Sequence, residues 1–437
     1  LAGEGTDVID MKGGMLLPGF TDAHVHLVDG GDTLTSLSVH DAETVDEVLE
    51  AVKTYAAAHP ELDAIIGSGW ALPLFEGGNP HKSMLDSAEA ERPVVLYAAD
   101  GHNAWVNSAA LEAAGVDAAT PDPANGRVER DPQTGEPTGA LRESATQLVH
   151  ALVPPMTKES ALRDLAAAMR FQNRMGYTAS IDASVPPGPM ADAFIAAVES
   201  GEATLRIELS LLPTTDFTDK AFAAEQIEAR IDGLEARRSK IEAADPAMLK
   251  AGMVKIFLDG VLENQTGALL EPYHGSSAGA AYAGVLNMPP DLLRRYAVAL
   301  DSAGFDLHMH AIGDRAVREG LDAVEAVVET NPPRARHHHI AHIELIDPGD
   351  VPRFGETGAG ANMQALWAYG DSYITDLTEP FLGEDRSRWL YPFASLRDAG
   401  AFLVSGSDWP VSTSDPFAAM EVAVARTSPD GDTPVWR

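Results

Sequence analysis

A chain of 437 residues, 45% hydrophobic and 22% charged, has an ordinary globular composition and is long enough for one α/β barrel of ~250 residues with accessory structure. Its 66 acidic residues against 31 basic ones give a formal charge of -35, which excludes nucleic acid and anionic membranes as partners. With no cysteine there are no disulfides and no thiolate ligands, so histidine, carboxylate and carbamate are left to coordinate any metal ion.

The first predicted strand ends in Pro18-Gly19-Phe20-Thr21-Asp22-Ala23-His24-Val25-His26. Alternation along a strand puts His24 and His26 on one face, where both can grip one ion. A helix is expected over 44–58, with Thr44 and Glu47 forming a capping box and apolar residues at helical spacing, and it is read as the helix following the first barrel strand. Residues 62–143 read as an insertion of short strands and turns. A helix over 158–175 stops at Gly176, and a strand follows over 177–183. The alternation continues with strand 205–212, helix 222–244, strand 252–258, helix 290–303, strand 305–310, helix 314–329 and strand 338–343. A last apolar strand ends at Ser407-Asp408.

Strands alternating with helices of this length predict a parallel α/β fold. The polar residues that stand out all fall at the C-terminal ends of strands: Lys255 in Val254-Lys255-Ile256, His308 and His310, His339 and His342, and Asp408. A barrel collects its active site at that face, so a TIM-like (β/α)8 barrel is favoured over a doubly wound sheet, for which no glycine-rich phosphate loop follows the first strand. Lys255 lies in an apolar strand, where an ammonium is costly unless paired or chemically changed.

The chain resembles the amidohydrolase superfamily, and within it the amidohydrolase family 3 branch that includes the N-substituted formamide deformylases. The likeness rests on PGFTDAHVH at 18–26, SGW at 68–70, DGHNAWVNSAAL at 100–111, GALRE at 139–143, GMVKIFLDG at 252–260, HAIGDRAV at 310–317 and SGSDWPV at 405–411. It implies two divalent metal ions, for which the ligands suit zinc, with manganese or iron also fitting. His24, His26 and Asp408 would hold one, His310 and His342 the other, and a carboxylated Lys255 would bridge them. His310 is preferred over His308 because it directly precedes Ala-Ile-Gly-Asp, as in the family. The chain departs from the family pattern at Ala341, where glutamate is common, and over Val261-Leu262-Glu263-Asn264-Gln265. Trp70, His102, Trp105 and Glu143 are expected to line the substrate pocket, with His102 orienting a carbonyl. Asp408 is expected to shuttle the proton. Residues 1–17 are expected to be the remnant of a small β-sandwich, and 18–437 the barrel with its insertion.

The implied activity is hydrolysis of a non-peptide C–N bond in an amide or formamide by a metal-activated hydroxide. An esterase, lactonase or deaminase could use the same site, and a non-catalytic metal-binding scaffold or regulator is the reading from another class. The expected partner is a small-molecule substrate, with a homodimer left open. No apolar run reaches the ~20 residues of a membrane span and no basic-then-apolar stretch opens the sequence, so the expected location is cytoplasmic.

Overall fold

The computed structural model describes residues 3, 5–123, 125–214, 222–276, 278–431 and 433–436. β1 (Phe20–Val25) begins one sheet. The chain then leaves it to build β2 (Leu37–Ser38), β3 (Ile65–Trp70), β4 (Val94–Ala98), β5 (Asn103–Val106), β6 (Gly126–Arg130) and β7 (Pro137–Glu143). It returns as β8 (Tyr177–Val185), β9 (Arg206–Leu211), β10 (Leu249–Phe257), β11 (Asp306–Ala311), β12 (His339–His342), β13 (Gly360–Met363) and β14 (Phe402–Ser405). β1 and β8 to β14 pair in that order, all parallel, as the barrel reading expects. Closure comes from the loop after β14: Asp408 N donates to His24 O at 2.7 Å and His26 N to Trp409 O at 2.9 Å.

Amphipathic helices cover this barrel. Asp314–Thr330 buries Val317, Leu321, Val324 and Val327 on one stripe, each such side chain stabilising the fold by roughly 1.5–3 kcal/mol. Lys158–Arg174 is capped by Thr157, and Gly176, at φ 90°, turns the chain into β8.

β2 to β7 form a second, mixed sheet in the order β2-β3-β4-β5-β7-β6. The helix Val45–Ala58 has the expected capping box, but its partner is not the barrel. Val48, Val52 and Ala56 pack with Ile65, Val94 and Leu96 in the second sheet's own core. The excursion therefore begins by Leu37 rather than at 62. The helix that follows β1 is the short Leu27–Thr33, which packs with the barrel residues Leu165, Ala168 and Met169. Periodicity identifies the buried face of a helix and not the sheet it covers.

β13 was not among the predicted strands; at four residues of Gly-Ala-Asn-Met it has little β character. Of the expected sandwich remnant, residues 1, 2 and 4 lie outside the described residues. Residues 7–19 form no strand, and Val8, Ile9, Met15 and Leu16 are exposed. Among the described residues, no helix is long and apolar enough to cross a membrane.

Candidate active site

Six side chains converge where β1, β10, β11 and β12 end and the loop after β14 begins. His24 Nε2 lies 3.5 Å and His26 Nε2 3.1 Å from Asp408 Oδ1. His342 Nδ1 lies 3.8 Å from Asp408 Oδ2. Ligand atoms of His24, His342 and Asp408 all fall within 4.8 Å of one another. Lys255 Nζ is 3.3 Å from His24 Nε2, and the His310 ring is 4.6 Å from that of His342, centroid to centroid. His24, Lys255, His310, His342 and Asp408 are buried.

Local backbone chemistry explains the convergence. Asp22 staples β1 to the Asp408 loop: its Oδ1 accepts from His24 N at 3.2 Å and Ser407 N at 2.9 Å, and its Oδ2 accepts from Ser407 Oγ at 2.6 Å. Gly406 permits the approach, because a Cβ there would overlap the Cβ and backbone nitrogen of His24. In β12, Ala341 is in register with His310, so regular alternation would turn His342 to the opposite face. His342 has φ 77° instead, and this left-handed kink brings its ring to the site. Gln364, just past β13, then orients it: His342 Nδ1 donates to Gln364 Oε1 at 2.8 Å, which leaves Nε2 with the lone pair.

The donor set suits cations. Asp408 Oδ1 is buried among imidazole nitrogens, with His26 Nε2 at 3.1 Å and His24 Nε2 at 3.5 Å, and His310 Nδ1 faces Asp259 Oδ1 at 3.2 Å, which leaves the lone pair on His310 Nε2. Burial pushes His24, His310 and His342 well below the usual histidine range, favouring the neutral ring that a metal requires. Burial also lowers the Lys255 ammonium to about 8, against partial support from Asp408 and Asp182. Asp259, beside His310 at 3.2 Å, accepts backbone N–H groups from Ala268, Ile312 and Gly313 and so ties the loops around the site together.

The second sheet contributes from the other side. His102 Nδ1 donates to Glu143 Oε2 at 2.8 Å, and the His102 ring lies 5.8 Å from that of His310. Burial works against the His102 imidazolium, but the charge and hydrogen bond of Glu143, with Asp100 and Glu263, outweigh it and hold the pKa at about 9. Glu143 is held in turn, because Thr266 Oγ1 donates to its Oε1 at 2.6 Å and Asn264 Nδ2 at 3.3 Å. These two donors lie in or beside the stretch that departs from the family pattern. Arg142 fastens it down, donating to Asn264 Oδ1 at 3.2 Å, Asn103 Oδ1 at 2.9 Å and Gly78 O at 2.7 Å.

Trp70 and Trp105 are given to packing. Both are 0% exposed, stacked edge-on with Phe75 in the small sheet's core, with Trp70 Nε1 donating to Leu96 O and Trp105 Nε1 to His81 O. They have no surface to offer a substrate, which corrects the expectation that they line the pocket. An aromatic ring does lie at the site, since Trp367 stacks on His342 at 5.6 Å and 6°. Of the His337-His338-His339 run, His337 is exposed, His338 Nδ1 accepts from Leu307 N, and His339 packs against His308.

Gln364, Thr266 and Asp259 escaped the sequence reading as site residues, and Asn264 entered it only within the stretch that departs from the family pattern. The signal for Gln364 was slight: it lies two residues after Asn362 at the end of a strand that was itself missed.

Comparison with known proteins identifies the family. A profile described as "Amidohydrolase family" matches residues 7–435. Protein LONG AFTER FAR-RED 3 of Arabidopsis thaliana is 31% identical over 440 residues, covering 98% of this chain and 72% of its own length. The N-substituted formamide deformylase of Arthrobacter pascens is 27% identical over 434 residues, 97% of this chain and 76% of its own length. A metal-dependent hydrolase of Pyrococcus horikoshii OT3 has a similar fold, with a TM-score of 0.67 at 23% identity, over 94% of this chain and 74% of its own.

Proposed function

We propose that this chain, which belongs to the amidohydrolase family and shares its metal dependence, hydrolyses a non-peptide carbon–nitrogen bond in an amide or formamide with an apolar N-substituent. The observation that carries this reading is a pair of complementary proton carriers at one site. Asp408 places a carboxyl group beside His24 and His26, and His102 is an imidazolium kept charged by Glu143. An amine leaves poorly until it is protonated, whereas an alkoxide is a better leaving group, so an acid at this position suits C–N cleavage. The likeness to a formamide deformylase supports the same choice.

The residues fit two divalent ions, one served by His24, His26 and Asp408 and the other by His310 and His342. Zinc suits imidazole and carboxylate donors. Lys255 is buried, with Nζ 3.3 Å from His24 Nε2, and its pKa of about 8 makes the free amine more available than in an ordinary lysine. That amine can add to carbon dioxide with loss of a proton, and the resulting carbamate anion would serve both ions. When bound, the ions supply Lewis acidity, lowering the pKa of water and polarising a carbonyl oxygen.

The chain's own groups move the protons. Asp408 takes one from water as the new C–O bond forms. His102 gives its Nε2 proton to the amine nitrogen as the C–N bond breaks, while Glu143 holds the ring. Proton return from Asp408 to His102 through solvent restores both groups. The test is metal analysis of the purified chain together with turnover of a panel of N-substituted formamides, amides and esters, before and after chelation. Close to two zinc ions per chain and chelator-sensitive hydrolysis of C–N substrates are expected. Activity confined to esters, or turnover indifferent to chelation, would overturn the assignment.

A further inference from the structure

We propose that His308, anchored by Ser210, is a positioning residue that sets the tautomer and ring orientation of His24 toward its metal ion. This inference rests on the metal-dependent reading above. His308 came out of the sequence as a rival ligand, sharing a strand face with His310. The structure gives it other work, because both of its ring nitrogens are already engaged. His308 Nε2 lies 2.9 Å from His24 Nδ1, and His308 Nδ1 lies 2.7 Å from Ser210 Oγ. All three residues have 0% exposure. Ser210 stands on β9, His308 on β11 and His24 on β1, so the chain of contacts crosses the barrel interior between strands that are not neighbours in the sheet.

The direction of the protons follows from what His24 must do. A neutral imidazole has one N–H and one lone pair, and only the lone pair can bind a metal. His24 Nε2 is the nitrogen that faces Asp408 Oδ1 and Lys255 Nζ. Its lone pair is free only when the proton sits on Nδ1 and is donated to His308 Nε2. His308 then carries its own proton on Nδ1 and donates it to Ser210 Oγ. With every proton reversed, His24 would present an N–H where the ion belongs. A hydroxyl can act as donor or acceptor, so Ser210 allows the relay to settle in the metal-competent direction. The His308 ring is itself braced by His339, whose centroid lies 4.2 Å away and whose Nδ1 is 3.2 Å from Asn362 Nδ2.

The experiment is zinc affinity of the full chain, measured by competition with a chromophoric chelator, together with the visible absorption of the cobalt(II)-substituted protein. His308→Ala is expected to weaken zinc binding about 10- to 100-fold and to alter the cobalt spectrum. Ser210→Ala should move both readouts the same way by less. In His308→Gln the amide oxygen can accept from His24 Nδ1–H and should recover part of the affinity. A His308→Ala protein that melts like the parent when metal-free, binds zinc within twofold of it and keeps its cobalt spectrum overturns the proposal. If His308→Ala does not fold, His308→Leu, which fills the space but accepts no hydrogen bond, takes its place, and parental affinity and spectrum in that variant overturn the proposal equally. A parent chain that binds no zinc instead overturns the metal-dependent reading, and this is seen before any substitution is made.

Discussion

Glu143→Gln keeps the size of the side chain and an oxygen for Thr266, but removes the charge that holds the His102 proton. His102 Nδ1 donates to Glu143 Oε2 at 2.8 Å, with the two side chains 21% and 12% exposed, so solvent screens the pair weakly. Burial alone would lower the imidazolium; Glu143 is the main reason it titrates at about 9 rather than 6.5. A histidine with a raised folded pKa stabilises the fold fully below its unfolded value and loses that contribution as pH rises through the folded one. The window is therefore pH 6.5 to about 9, and the displacement amounts to about 3 kcal/mol. Urea unfolding of the metal-free parent and variant at pH 6, 8 and 10 measures it. The parent's advantage should be largest at pH 6, on the order of 3 kcal/mol, and should shrink steadily to pH 10. In turnover, the basic limb of kcat/KM should move about 1 to 3 toward lower pH in the variant. A stability gap that is the same at pH 6 and pH 10 would refute the reasoning, because His102 would then not be charged through Glu143.

Asp408→Asn preserves shape and one oxygen but not the base, so it should keep much of its metal while turnover falls ~100- to 10,000-fold; full metal content with near-parental turnover would make Asp408 a ligand only. Lys255→Ala should lose metal and activity, with partial rescue by short carboxylic acids that replace the carbamate, and parental metal content in this variant would exclude the bridging role. Arg142→Ala removes a buried guanidinium that holds Asn264, Asn103 and the Gly78 carbonyl, and should destabilise the chain by about 3–5 kcal/mol in denaturant unfolding; a loss under ~0.5 kcal/mol would mark it as an ordinary surface site. Gly406→Ala forces a Cβ into His24, so metal affinity should fall more than thermal stability does; unchanged affinity would show that the loop yields freely.

The barrel was readable because strands alternate with helices along the chain, and a Lys or His interrupting an apolar run near a strand's end, as at Lys255 and His310, was informative. What periodicity could not supply was partnership. Val45–Ala58 has the same amphipathic pattern whether it covers the barrel or the second sheet, and only the contacts of Val48 and Val52 decide. Trp70 and Trp105 failed for a related reason: an aromatic residue in a motif looks alike whether it faces a substrate or a core. His342 was found from the resemblance, against plain alternation, which would have turned Ala341 inward with His310. Glu143 and His102 were identified singly, but their joint anchoring by Thr266, Asn264 and Arg142 depends on contacts across more than a hundred residues of chain.

Strain gives a second, independent outline of the same site. Among the described residues, few non-glycine residues have positive φ, yet Glu143 at 50°, His342 at 77° and Asp408 at 56° are three of them, and all three carry proposed chemistry. Such conformations cost about 1–3 kcal/mol each and persist only where the surroundings over-determine them. Here the backbone does so: Glu143 N donates to His102 O at 2.7 Å, Ile343 N to Ala311 O at 3.0 Å and Asp408 N to His24 O at 2.7 Å. Each of these bonds ties a strained residue to a neighbour that takes part in the same site or closes the same strand pair. Glycine would relieve the strain at any of the three positions but would remove the imidazole or carboxylate. The backbone is bent where a regular strand would point the reacting group away from its partners, and the barrel's closure through His24 and Asp408 is the same contact that holds the site's carboxylate in place.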